Sequence, residues 1–243
     1  MKTLDGKTYW LVGASEGIGY ELAKRLDFLG ASLIISARNT QKLENLSTNL
    51  LVPAKVVSCD VTSIESVKKA YESIGTVDGV IYLAGDYEPM HSQNWVSKDA
   101  LRMADTNFLG AIRVLGICIN DFVVRNYGHI VIIGSLAGFT GLQGAIGYGA
   151  SKAALMHLSE NLAADLFNTK IKIQLFNPGF VHTRLTMKNK FHMPFKMSPK
   201  KAAGIIAQGM LTNRRVTNFP WFFSLIFRIG NLMPFKFYIF GKK

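Results

Sequence analysis

Seven short apolar runs punctuate this chain of 243 residues: Thr8–Val12, Ser32–Ser36, Ala54–Ser58, Gly79–Leu83, His129–Ile133, Lys172–Phe176 and a shorter one at Val216–Asn218. Helix-patterned stretches separate them. A run of about five apolar residues without polar alternation suits a strand covered on both faces, and strand–helix–strand repetition predicts parallel pairing. The expected fold is α/β, a doubly wound parallel sheet of about seven strands with helices on both faces. The longest helices are expected around Asn107–Val124 and Ser151–Phe167. Ligands of such sheets bind beyond the carboxyl ends of the strands. Gly13, Arg38, Asp60, Gly85, Ser135 and Pro178 all follow expected strand ends, so they converge on one crevice.

The loop after the first run reads Gly13-Ala14-Ser15-Glu16-Gly17-Ile18-Gly19 and leads into a helical pattern. Strand, glycine loop and helix is the context of a phosphate-binding turn. Gly13 permits the tight turn, Gly17 lets backbone approach a pyrophosphate, and Gly19 allows close helix packing. The helix N-terminus adds unpaired N–H groups and the positive end of a dipole. An ordinary strand–helix turn can carry the same glycines, and what lies downstream separates the two readings. Tyr148 and Lys152 stand four apart and share one helix face. An ammonium there favours the phenolate and lowers the tyrosine pKa from its usual value near ~10. The phenol then exchanges a proton near neutral pH. Ser135, after the apolar run His129–Ile133 and Gly134, is placed to hydrogen-bond the same oxygen. The set makes chemical sense only where something else supplies a hydride, and the glycine loop offers the place for it.

With these motifs in order, the chain resembles the short-chain dehydrogenase/reductase family, classical type. The resemblance covers roughly residues 5 to 210. It rests on the Gly13/Gly17/Gly19 loop, Asp60-Val61 after the third strand and Leu83-Ala84-Gly85 after the fourth. Asn107, Ser135, Tyr148/Lys152 and Asn177-Pro178-Gly179 follow, with Val181 and Thr183. Two positions depart from the family pattern: Val12 stands where Thr is usual, and Leu83 where Asn is usual. Both usual residues brace the sheet edge, so the departures bear on loop geometry more than on chemistry.

The resemblance implies a Rossmann-like fold and a set of roles. Tyr148 is the general acid in reduction and the base in oxidation. Lys152 lowers its pKa and holds the nicotinamide ribose, and Ser135 polarises the substrate carbonyl. Asn107 holds a water linking Lys152 to solvent, the alternative being an asparagine that only bends its helix. Pro178, Gly179, Val181 and Thr183 cradle the nicotinamide, and Asp60 accepts from the adenine amino group. Ser15, Glu16, Ile18, Val61, Ala84 and Gly85 complete the cofactor site. A homodimer or homotetramer built on the two longest helices is implied as well.

The second run ends Ile34-Ile35-Ser36-Ala37-Arg38-Asn39. An acidic residue here would chelate the ribose hydroxyls of NAD(H). The chain has none and offers Arg38, whose guanidinium pairs with a 2′-phosphate, Ser15 adding a hydrogen bond. NADP(H) is therefore favoured. NAD(H) stays open, because Arg38 can equally be a solvated loop arginine and Glu16 would repel a phosphate. No metal-ligand spacing is present, and no metal is expected.

Charge is uneven. The chain carries a formal +12, yet from Leu166 onward there are fourteen Lys and Arg and no Asp or Glu. Such a segment faces an anionic partner or is a solvated basic face. No nucleic-acid-binding motif accompanies it, so nucleic acid is not expected. An anionic membrane surface, a phosphorylated substrate or an acidic carrier protein fits.

Arg184–Ser198 interleaves Leu185, Met187, Phe191, Met193, Phe195 and Met197 with Lys188, Lys190 and Lys196. In the resembled family this region closes over substrate, and a Met-rich lining adapts to apolar ligands. Packing on the sheet or on a partner subunit is the alternative. Residues 216–243 stand apart from an expected 1–215 domain. Arg228 and Pro234 interrupt this segment, so it has no uncharged run of about eighteen residues to span a bilayer. With Trp221 and Tyr238 it suits a membrane interface, or else an arm over the pocket or a neighbouring subunit.

Cys59 and Cys118 lie in apolar contexts and are expected as reduced, buried thiols. The polar N-terminus reaches the first strand at once, leaving no room for a signal peptide. A cytoplasmic protein, peripherally membrane-associated, is expected. The expected activity is NAD(P)-dependent reduction of a lipophilic ketone (3-oxoacyl, sphingoid or steroid-like) to a secondary alcohol. A catalytically silent NADP(H)-binding regulatory or scaffold protein is the alternative.

Overall fold

In the computed structural model, which describes residues 3–230, the seven apolar runs become the strands of one parallel sheet. They are β1 (Thr8–Val12), β2 (Ser32–Ala37), β3 (Lys55–Ser58), β4 (Gly79–Tyr82), β5 (Gly128–Ile133), β6 (Ile171–Pro178) and β7 (Val216–Phe219). Their order across the sheet is β3-β2-β1-β4-β5-β6-β7, a Rossmann-like arrangement. The order reverses between β1 and β4, where such sheets open a crevice at their carboxyl end.

Period-two alternation explains why the runs are continuously apolar. Tyr9 and Leu11 face one core, and Trp10 and Val12 face the other. The first core is closed by α1 (Gly17–Phe28), α2 (Thr40–Ser47) and α7 (Pro199–Met210), through Leu22, Leu26, Leu43, Leu46 and Ile206. The second is closed by α3 (Ile64–Ile74), α5 (Gly110–Arg125) and α6 (Ile146–Asp165), through Val67, Val114, Phe122 and Leu155. Side-chain caps fix several starts. Asn39 accepts from the Lys42 amide, Ser63 from Ser66 and Ser198 from Lys201, with Pro199 opening α7. Cys59 and Cys118 are buried and unpaired.

Boundaries moved where tertiary pairing outran the local pattern. β6 continues through Asn177 and Pro178 because β7 pairs with it from Leu175 to Pro178. Pro178 is therefore the last residue of a strand, not the first residue beyond one. β4 stops at Tyr82, and Leu83 donates its amide to the Val12 carbonyl at 2.9 Å. Backbone thus joins the two positions that depart from the family pattern. The helix expected from Asn107 begins ten residues earlier, as α4 (Ser97–Ala104) followed by a π-helical turn, Asp105–Leu109, that runs into α5. The helix expected from Ser151 begins at Ile146, which puts Tyr148 in its first turn. Past β7, α8 (Trp221–Gly230) folds back onto the protein. Residues 231–243, including Pro234 and Tyr238, lie outside the described residues.

A buried polar chain ties β1, β5 and β6 together. The Gln174 side-chain amide faces the carbonyls of Gly209, Thr212 and Arg214. Its Oε1 is therefore the acceptor facing His129 Nε2 at 2.9 Å. His129 carries its proton on Nε2 and accepts at Nδ1 from the Tyr9 hydroxyl, 2.8 Å away. Burial, reinforced by the charge of Lys172, pulls the imidazole pKa down to about 3. In the unfolded chain it returns to near ~6.5, so the unfolded state binds the extra proton between these values. Stability present above pH ~6.5 is thus lost as pH falls toward 3. His129→Gln is expected to cost about 1–3 kcal/mol at neutral pH, from partners left unpaired, and to flatten the loss between pH ~6.5 and ~4. Urea unfolding across that range measures both, and slopes parallel to wild type would contradict the assignment.

Candidate active site

The site begins where β1 hands over to α1. Gly13 has φ +100°, and a Cβ on it would stand 2.5 Å from the Ala84 amide nitrogen at the end of β4. A Cβ on Gly19 would stand 2.1 Å from the Gly13 carbonyl oxygen. The loop is therefore wedged between β4 and its own helix with room for backbone alone. Gly17 has φ +59° and faces the Thr183 methyl across the cleft. Glu16 occupies the N-cap position without a side-chain cap bond, leaving the first amides of α1 uncapped by it.

A cleft of about 330 Å³ opens here. Every site residue named from the sequence lines it except Gly19 and Asn107. Gly19 packs behind the loop. Asn107 is fully buried in the π turn, and its side chain is committed. Oδ1 accepts from the Asp86 amide at 2.6 Å, while Nδ2 donates to the Asp86 carbonyl at 3.0 Å and to Ser151 Oγ at 2.9 Å. It fastens the loop after β4 to α6. Lys42 and Thr186, which no motif in the sequence singled out, line it as well, together with Leu185 from the 184–198 segment.

Tyr148 and Lys152 sit one turn apart on α6, facing the end of β5. Lys152 is buried and donates from Nζ to the Ile133 carbonyl at 2.9 Å, with the ammonium 5.8 Å from the Tyr148 ring centroid. Ser135 caps a short turn, accepting from the Ala137 amide at 3.1 Å, and hydrogen-bonds Tyr148. The expected lowering of the tyrosine pKa is not what the folded chain shows. Burial raises it above its ordinary value, and the Ser135 bond only partly opposes that. Burial also pulls Lys152 down to about 8. The phenol is therefore protonated at neutral pH, beside a lysine that is charged below pH 8.

Tyr87 was not anticipated. Its ring meets Tyr148 edge-on at 5.0 Å, and its hydroxyl donates to Asn189 Oδ1 at 2.6 Å. Its position two residues past Gly85 was the only available signal.

At the other end of the cleft, Arg38 is exposed just past β2, with Lys42 one helical turn on. That four-residue spacing was readable in the sequence. Glu16 lies between two cations, 3.1 Å from Lys42 Nζ and 2.6 Å from Arg184 Nε. Partial burial pushes its carboxyl up, but these two partners win and hold it below the usual range. Asp60 follows β3 and accepts at Oδ1 from the amide and hydroxyl of Thr62.

Segment 184–198 crosses the cleft. Arg184 pairs with Glu16, Lys188 with Glu88 at 2.6 Å, and Asn189 accepts from Tyr87. α8 packs behind it, where Phe223 and Phe227 are buried with Leu136 and against Phe180. Leu136 follows Ser135 and Phe180 follows Gly179, so this apolar cluster backs the reactive end of the cleft.

Comparison with known proteins agrees with this geometry. The family model for short chain dehydrogenase matches residues 7–193. An uncharacterized oxidoreductase of Myxococcus xanthus is 31% identical over 241 residues, covering 96% of this chain and 95% of the relative. One from Staphylococcus epidermidis is 31% identical over 214 residues, covering 86% and 93%. Among solved structures, a short chain dehydrogenase/reductase family protein superposes with a TM-score of 0.81 at 25% identity, over 90% of this chain and 97% of that one. A closed serine dehydrogenase complexed with NADP+ shares the fold, with a TM-score of 0.80 at 23% identity over 87% and 94%.

Gly19→Ala tests the wedge. The added methyl would meet the Gly13 carbonyl and the Ala14 Cα, both backbone, and overpacking of this kind costs about 1–3 kcal/mol. Thermal unfolding should show that loss together with weakened nucleotide binding, and unchanged values of both would contradict the packing described.

Proposed function

The chain belongs to the short chain dehydrogenase family and is an NAD(P)-dependent oxidoreductase; we propose that it works in the reducing direction, with NADPH, turning a lipophilic ketone into a secondary alcohol. The observation that carries this reading is the placing of Tyr148 on the cleft wall, one helical turn from buried Lys152 and with Ser135 lining the same cleft.

The residues present fit a dinucleotide. Gly13 and Gly19 let the loop pack backbone on backbone, which brings the α1 N-terminus, not capped by the Glu16 side chain, to the cleft, and that N-terminus suits a pyrophosphate. Asp60 and Val61 would hold the adenine; Ala84, Gly85, Pro178, Gly179, Val181 and Thr183 the nicotinamide half; Lys152 its ribose. When bound, the cofactor supplies the hydride. Ser135 donates a hydrogen bond to the substrate carbonyl oxygen and orients it toward Tyr148. Tyr148 gives its phenolic proton to that oxygen. Lys152, cationic below pH 8, steadies the phenolate that remains. Asn107 is a positioning residue, holding the loop after β4 against α6. Tyr87 packs on the acid and fixes its ring.

NADPH is favoured because Arg38 and Lys42 line the ribose end and no carboxylate follows β2. The repulsion expected from Glu16 is answered by its two cationic partners. A lipophilic substrate such as a 3-oxoacyl, sphingoid or steroid-like ketone suits Leu185 on the cleft wall and the apolar cluster of Leu136 and Phe180 that backs its reactive end. A homodimer or homotetramer, with 1–215 as the catalytic domain and 216–243 as an appendage, completes the reading. So does a cytoplasmic location with peripheral attachment to an anionic membrane, an acidic carrier being the other anionic partner.

Titration of the purified protein with NADPH and NADH, followed by nucleotide fluorescence, tests the cofactor. NADPH should bind more tightly, and Arg38→Leu should weaken it by about 10–100-fold with NADH little changed, as for loss of a charged hydrogen bond. Tighter NADH would overturn the preference. Tyr148→Phe should lower kcat by about 10³-fold or more while leaving NADPH affinity intact. For Lys152 the sign is set by its depressed pKa: the reduction rate should fall as pH rises through about 8. Lys152→Met should lose that alkaline limb along with most of the rate. A limb that survives the substitution would assign it to another group.

A further inference from the structure

α8 is apolar on both sides. Phe223 and Phe227, four apart, are buried with Leu136 and against Phe139 and Phe180. The opposite side presents Trp221, Phe222, Leu225, Ile226 and Ile229, between 41% and 68% exposed. The apolar surface continues onto segment 184–198. The Phe195 ring meets Phe222 at 4.8 Å and Phe223 at 5.4 Å, and Phe191 meets Phe180 at 5.8 Å, while Phe191 and Phe195 are each 54% exposed. A patch of large side chains this continuous marks an interaction surface. Bases stand among its members. Lys190 and Lys196 are exposed beside Phe191 and Phe195, and the Arg228 guanidinium lies 5.3 Å from the Phe139 ring.

We propose that this face, α8 together with residues 187–196, is a docking surface for an anionic lipid interface. The apolar row lies in the boundary between headgroups and acyl chains, and Lys190, Lys196 and Arg228 meet the phosphates. The inference deepens the reading above, on which it rests, by naming the face and its orientation.

Charge selects the occupant. From Leu166 onward the sequence holds no acid, so two copies meeting through this face would bring like charges together. The chain beyond Gly230 adds Lys236, Lys242 and Lys243 and again no acid, extending the same sign. Position gives the contact its use. Leu136 and Phe180 stand between α8 and the cleft residues Ser135 and Gly179, so docking through α8 sets the reactive end of the domain against the lipid surface.

The test sediments the full-length protein with phosphatidylglycerol/phosphatidylcholine vesicles and with phosphatidylcholine vesicles. Wild type should bind the anionic vesicles at least ~10-fold better than the neutral ones, less so at higher salt. A Trp221→Glu/Ile226→Glu variant changes only exposed positions. It should lose that binding by about 10-fold or more while keeping NADPH affinity and the rate with a water-soluble ketone. Wild type left in the supernatant with anionic vesicles would overturn the proposal, as would a variant that sediments like wild type. Gel filtration covers the other occupant: an oligomer that the variant dissociates, in a protein that never binds vesicles, would assign the face to a second copy instead. Failure of wild type to reduce any soluble ketone would sink the enzymatic reading and leave the vesicle result standing.

Discussion

Backbone touching backbone at the head of α1 is the contact on which the rest of the site depends. Gly13 lies against Ala84, and Gly19 against Gly13, at separations that no side chain could share. That closeness brings the first turn of α1 down onto the carboxyl edge of the sheet, between β1 and β4. The ends of β2, β3, β5 and β6 then surround it at a spacing set by strand pairing alone. Thr183 comes close to Gly17 from the far side, where a Cβ would stand 3.2 Å from its methyl. The width of the cleft follows from these steric facts before any charge is considered.

Electrostatics takes over at the reactive end. Two ionisable groups stand together there, Tyr148 half-buried on the cleft wall and Lys152 buried behind it, and desolvation favours the neutral form of each. The Ile133 carbonyl keeps the lysine anchored through one hydrogen bond. Because α6 starts at Ile146, the tyrosine lies in the first turn, close to Ser135 at the end of β5. Fold and chemistry meet in that one helix start.

The parts of the molecule readable from sequence are those that depend on short-range spacing. Glycines at 13, 17 and 19, a Tyr–Lys pair four apart and unbroken apolar runs are local patterns, and the structure places them together in one crevice. Pro178 was misread because its strand status comes from pairing with β7, some forty residues away. The tyrosine pKa was misjudged because charge was weighed and burial was not, and burial is a property of the whole fold. Asn107 was expected to hold a water beside Lys152; that its side chain also fastens Asp86 to Ser151 is a long-range contact that no local spacing announces. Tyr87 could not be anticipated, since its contact with Tyr148 depends on the path of a loop that has no periodicity.

The two walls over the substrate end are held by different kinds of force. Segment 184–198 is fastened at its start by polar tethers, Arg184 to Glu16, Lys188 to Glu88 and Asn189 to Tyr87, and farther on by Phe191 on Phe180, Phe195 on Phe222 and Phe223, and buried Met197. Water can take the place of either partner in the two half-exposed ion pairs, which are worth about 0–1 kcal/mol each. α8 is held by Phe223 and Phe227 in a dry cluster, where no solvent molecule can substitute. The start of the segment therefore exchanges its contacts for solvent more readily than the dry cluster under α8 does, and the two sides of the substrate end differ in stiffness.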